Sequence, residues 1–116
     1  MTEAQIQHEV VMYLQKENIF CHSVPNELAG ANAGARMSQF VATGLRKGVA
    51  DLIVWWPDGK LGYVEMKTPT GSQSKVQKTF EQRCREYGVR YDLARSVEDV
   101  ARLVGKYSWT KNVQVT

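Results

Sequence analysis

The sequence predicts a mixed α/β domain, a central sheet of mixed strand direction flanked by helices. Three observations carry that prediction. Apolar residues recur at helical spacing near the N-terminus. Two short β-prone runs flank the turn signal Pro57-Asp58-Gly59-Lys60 in mid-chain. After them the pattern alternates helix, strand, helix, each boundary marked by a Ser or a Gly. The order α-β-(loop)-ββ-α-β-α leaves helices to cover a sheet that no single layer could bury. With 116 residues the chain suits one domain, so residues 1–116 read as a single unit. Its core spans about residues 3–106, and residues 107–116 read as a polar tail.

The elements follow in order. Residues 3–17 place Ile6, Val10, Tyr13, Leu14 and Glu17 at helical spacing, and Thr2 can cap them. Residues 19–24 are β-prone and end at Pro25-Asn26. Residues 26–48, "NELAGANAGARMSQFVATGLRKG", are rich in Gly and Ala, with a helical turn expected over Met37 to Ala42. A loop that long in so small a domain is usually functional. Residues 49–56 and 61–67 form a hairpin about the 57–60 turn, and "TPTGSQ", residues 68–73, is loop. Ser74 opens a second helix to about Tyr87, with Val76, Phe80, Cys84 and Tyr87 facing inward and Gly88 as its stop. Residues 91–94 are a strand. Ser96 caps a third helix, with Glu98 and Asp99 in its first turn and Val97, Val100, Ala101, Leu103 and Val104 on its apolar side.

Composition narrows the function. At 43% hydrophobic and 23% charged residues, the chain is neither disordered nor membrane-like. The longest apolar run, Leu52 to Trp56, is too short to cross a bilayer. The polar, acidic start "MTEAQIQHE" is not a signal peptide, which points to the cytoplasm. Cys21 and Cys84 make no CxxC pair, so reduced thiols are expected rather than a zinc or iron–sulfur site. A net charge of +3 and a pI near 9.0 permit a polyanionic partner. Arg36, Arg46, Lys47, Lys60, Lys75, Lys78, Arg83 and Arg85 cluster in mid-chain. They suit either a solvated surface or a positive field for a phosphate substrate.

The chemistry centres on the hairpin. Side chains alternate along a strand, so Leu61, Tyr63, Glu65 and Lys67 share one face and Gly62, Val64 and Met66 the other. Antiparallel pairing about the turn brings Asp51, opening one strand, beside Glu65, closing the next. Two carboxylates and an ammonium then meet at one rim. Each desolvated charge costs roughly several kcal/mol unless it is neutralised. A divalent cation resolves the repulsion, taking two carboxylates, a backbone carbonyl and waters as ligands. The Met66 carbonyl stands between the acid and the lysine. Lys67 could orient or deprotonate a water, or offset charge on a phosphate. The alternative is a structural ion pair at a strand end.

Three motifs stand in sequence: "GVAD" entering a strand, "EMK" leaving the next, and "SQSKVQ" opening a helix. This arrangement resembles the PD-(D/E)xK nuclease superfamily, and more narrowly the VRR-NUC family of replication and repair nucleases. The matching residues are Glu9, Pro25-Asn26-Glu27, Gly48-Val49-Ala50-Asp51, Glu65-Met66-Lys67 and Gln77, over about residues 5–95. Ala50 replaces the motif's proline, which is not a ligand. The resemblance implies a restriction-endonuclease-like core whose hairpin carries the active site. It implies magnesium or manganese held by Asp51, Glu65 and the Met66 carbonyl, with Lys67 assisting hydrolysis. It gives Gln77 and Glu9 active-site roles. Ser74-Lys75-Val76-Gln77 is also a capping box, so Gln77 has a structural role open to it. Glu9 could equally be a solvated flank of its helix. Nucleic-acid contacts are expected from Asn26, Arg36, Arg46, Lys47, Lys75 and Lys78. Stand-alone members of the resembling family, common in phages and prophages, act as homodimers on branched DNA such as four-way junctions. The rival readings are a non-cutting nucleic-acid-binding module, an assembly subunit and a sequence-specific restriction enzyme. His8 and His22 have no assignable partner. Trp55 and Trp56 point to opposite faces, so at least one is core.

Overall fold

A computed structural model describes residues 1–24 and 48–108. The elements are α1 (Glu3–Lys16), β1 (Cys21–Ser23), β2 (Leu52–Trp55), β3 (Leu61–Met66), α2 (Lys75–Glu86), β4 (Arg90–Ala94) and α3 (Val97–Lys106). The sheet runs β1-β2-β3-β4. Its first three strands are antiparallel, and β4 lies parallel to β3. A parallel pair needs a crossover, and α2 supplies it. The mixed sheet flanked by helices is the fold class the sequence predicts. Among the described residues no helix is long and apolar enough to cross a membrane.

Alternation along the strands splits the interior in two. Leu52, Val54, Trp56, Val64, Met66 and Ala94 face one side, where Ile6, Val10 and Leu14 of α1 meet Val100 of α3. Each aliphatic side chain fully buried there contributes about 1.5–3 kcal/mol. The other side is smaller: Cys84 and Phe80 of α2 cover Ala50, Tyr63 and Tyr91. The rings of Phe80 and Tyr63 meet edge to face at 4.9 Å.

Each helix starts where its side chains can satisfy the free N–H groups. Thr2 and Gln5 form a capping box on α1, and Ser74 and Gln77 form one on α2. The Ser96 side chain accepts from the Asp99 amide on α3. At the hairpin tip Gly59 takes φ +86°, a conformation that a Cβ would strain, while its amide donates to the Trp56 carbonyl at 2.9 Å.

Some expectations shift. The strand expected over residues 49–56 is shorter, because Val49 and Ala50 lie before the ladder begins. Val76 and Tyr87 do not face inward: they are 47% and 78% exposed. Phe80 and Cys84 of α2 pack on the sheet, while Val76 and Tyr87 stay open to solvent. Tyr107, assigned to the tail, packs on Trp56 with ring centres 5.1 Å apart. It also lies under the Arg90 guanidinium, 3.7 Å from its centroid, and donates to Asp92 at 2.8 Å. Arg90 in turn grips both carboxylate oxygens of Asp58 at 3.0 and 3.1 Å, tying the hairpin turn to the end of α3. The loop over 26–48 and the helical turn at Met37 to Ala42 lie outside the described residues, apart from Gly48. The tail beyond Ser108 lies outside them too.

Candidate active site

The β2–β3 register ends at Leu52 opposite Val64. One step further, Asp51 stands beside Glu65. Asp51 Oδ2 accepts a hydrogen bond from the Met66 amide at 2.7 Å, and its carbonyl accepts from Val24 at 2.9 Å. The aspartate thus extends the ladder with its side chain. Its neighbour Glu65 sits inside the sheet, opposite Leu93 of β4, and is 1% exposed. Glu65 Oε2 accepts from Gln77 Nε2 at 2.8 Å and lies 3.7 Å from Lys67 Nζ. Lys67, 7% exposed, also lies 3.9 Å from Glu3 Oε2.

Gln77 closes the helix cap and reaches Glu65 with the same side chain. Its Oε1 accepts from the Ser74 amide at 2.8 Å, closing the cap, while its Nε2 holds Glu65. A donor amide at one end and a carboxylate at the other fix which end of the side chain is oxygen.

The electrostatics of Glu65 are unusual for a carboxylate. Its pKa is pushed up to about 7, first by burial and next by the negative charge of Asp51, with Lys67 pulling the other way. Glu65 Oε1 is buried and, among the described residues, has no hydrogen-bond partner. An orphaned buried acceptor costs about 1–3 kcal/mol. Without a further cation, the cluster therefore favours a proton on Glu65. That donor set fits a hard divalent cation. Among the described residues no group of three or more His, Cys, Asp or Glu side chains gathers. Two carboxylates with carbonyl and water oxygens suit magnesium or manganese better than zinc.

The remaining candidates divide. Asp51, Glu65, Lys67 and Gln77 come together. Glu9 does not join them: it is exposed and lines a cavity of about 320 Å³ with Pro69 and Arg95. The α1 carboxylate that reaches Lys67 is Glu3, six residues earlier and about 240° around the helix. In sequence Glu3 reads as an ordinary first-turn acid, so nothing marked it. Lys75 and Lys78 are exposed on the first turns of α2, either side of Gln77. Asn26, Arg36, Arg46 and Lys47 lie outside the described residues.

A family model for the VRR-NUC domain matches residues 1–98, most of the chain. The chain belongs to the VRR-NUC family. Among solved structures, this VRR-NUC domain is similar to one titled "VRR_NUC domain protein". The TM-score is 0.72 and the identity 16%, over 92% of this chain and 88% of that one. A second, titled "VRR_NUC domain", gives a TM-score of 0.66 at 19% identity, over 92% of this chain and 99% of that one. At such identities the likeness establishes the shared fold. No curated protein matches the sequence. Membership in the VRR-NUC family marks the chain as a nuclease-type domain.

Proposed function

We propose that this VRR-NUC domain is a magnesium- or manganese-dependent DNA endonuclease that hydrolyses backbone phosphodiesters. The observation that carries the reading is Glu65, a buried carboxyl with one oxygen unpartnered among the described residues, beside Asp51 and within 3.7 Å of Lys67. Asp51, Glu65 and the Met66 carbonyl would hold the cation. When bound, it supplies Lewis-acid polarisation of a phosphoryl oxygen and lowers the pKa of a coordinated water. The chain's own groups do the rest. Gln77 fixes the rotamer of Glu65 through Oε2 and leaves Oε1 to other partners. Lys67, held between Glu65 and Glu3, presents an ammonium where a phosphate oxygen carries developing charge. Lys75 and Lys78 meet flanking phosphates from the exposed turns of α2.

The preferred substrate in this proposal is branched DNA such as a four-way junction, cut by a homodimer in the cytoplasm. The support is the family's stand-alone members and the small surface of the domain, which favours reading DNA shape over sequence. The test is cleavage of duplex, flap, fork and four-way substrates with magnesium or manganese, against EDTA and Lys67→Ala. Cutting of branched substrates only, lost in both controls, supports the proposal. Binding without cutting by the wild type would make the domain a non-catalytic DNA-binding module.

A further inference from the structure

We infer that Arg95 is a positioning residue for phosphodiester cleavage: it clamps the turn Thr68–Gly71 over the side chain of Lys67. The inference rests on the nuclease reading above and concerns a residue outside the acid–lysine cluster.

The turn begins directly after the lysine. The Gly71 amide donates to the Thr68 carbonyl at 3.1 Å, which closes it. A Cβ at Gly71 would stand 3.7 Å from Lys67 Cδ and 2.9 Å from Thr68 Oγ1. The turn therefore passes close to the aliphatic stem of the lysine. Backbone turns of this kind have no side-chain core of their own, so something else must hold them. Arg95 does so. Its Nη1 donates to the carbonyls of Thr68 and Gly71, each at 2.6 Å, with a longer contact of 3.3 Å to Pro69. These are charge-assisted bonds to three acceptors from one rigid group.

Arg95 is itself fixed. Its amide donates to Asp99 Oδ2 at 2.8 Å in the first turn of α3. The preceding residue, Ala94, accepts from the Lys67 amide at 3.0 Å. Adjacent residues of one strand end thus hold the lysine's backbone and the turn above its side chain. The far end of the same loop is pinned as well, because Gln73 Nε2 donates to Tyr91 Oη and Glu81 Oε1, each at 3.0 Å. Ser74 and Gln77 follow at once. Residues 68–73 therefore join Lys67 to Gln77 as a strap held at both ends, and Arg95 is the clamp at the lysine end.

The test compares wild type, Arg95→Ala and Arg95→Lys in two assays. One is magnesium-dependent cleavage of the preferred DNA, resolved into kcat and KM. The other is the rate at which acetic anhydride modifies Lys67, read by mass spectrometry without DNA. Arg95→Ala is expected to lower kcat about 100-fold, the scale of a misplacement near 1 Å, with KM unchanged. It is expected to label Lys67 several-fold faster. Arg95→Lys restores part of both, and Lys106→Ala, in the last turn of α3, moves neither. Unchanged Lys67 labelling in Arg95→Ala overturns the inference. So does a raised KM with kcat intact, which would make Arg95 a DNA contact. If the wild type cuts no substrate, the nuclease reading fails, and Lys67 labelling alone decides the clamp. If Arg95→Ala does not fold, Arg95→Gln replaces it, keeping a neutral side chain at the strand end without the guanidinium that spans the Thr68 and Gly71 carbonyls. An unaltered kcat and unaltered labelling in that variant also overturn it.

Discussion

Replacing Glu65 by Gln should stabilise the metal-free protein strongly at pH 8 and by less than about 1 kcal/mol at pH 5. The carboxyl's pKa rises from 4.5 to about 7 on folding, chiefly through burial and the charge of Asp51. A carboxyl with a raised folded pKa binds more protons when folded. Its favourable contribution is whole below pH 4.5 and is lost as pH climbs through about 7. The rise corresponds to about 3 kcal/mol at alkaline pH. Glu65 is almost fully buried, so little of this is screened away. Gln keeps an oxygen for Gln77 Nε2 and removes the charge. For a domain of this size the gain amounts to roughly 10–20 °C in Tm. Urea unfolding in EDTA at both pH values, followed by the fluorescence of buried Trp56, measures it. Magnesium added at pH 8 should stabilise the wild type and not the variant. If Glu65→Gln is no more stable than wild type at pH 8, or gains equally at pH 5, the electrostatic reasoning fails.

Three further outcomes are expected. Lys67→Met should lower cleavage by about 100-fold or more while leaving DNA binding in a gel-shift assay intact. Gly62→Ala should cost about 1–3 kcal/mol in thermal melts. Its new Cβ would stand 2.7 Å from Trp56 Nε1 and 3.1 Å from Arg90 Cβ. Gln77→Ala should lose about 1 kcal/mol from the α2 cap. It should also weaken magnesium binding by calorimetry, because Glu65 loses its 2.8 Å donor.

What the sequence made legible was the part governed by local rules. A four-residue turn set the hairpin register, and strand parity put Asp51 with Glu65 and Glu65 with Lys67. The capping box placed the start of α2 at Ser74. Whether Gln77 also reached Glu65 depended on the angle at which α2 crosses the sheet, which no spacing records. The same limit hid Glu3: periodicity gives the buried face of α1, not which of its exposed turns lies near Lys67. Val76 and Tyr87 matched the apolar stripe of α2 but lie on its exposed surface. Arg95 left no trace because its partners are carbonyl groups, which every residue carries. Tyr107 was read as tail for want of a periodic neighbour, yet its ring is sandwiched between Trp56 and Arg90.

The contact between Asp51 Oδ2 and the Met66 amide ties the pairing of the hairpin to the assembly of the acidic cluster. Here the bond that finishes the hairpin also brings the two acids together. A hairpin misaligned by one residue turns those acids to opposite sides of the sheet. A mispaired hairpin therefore gathers no cluster at all.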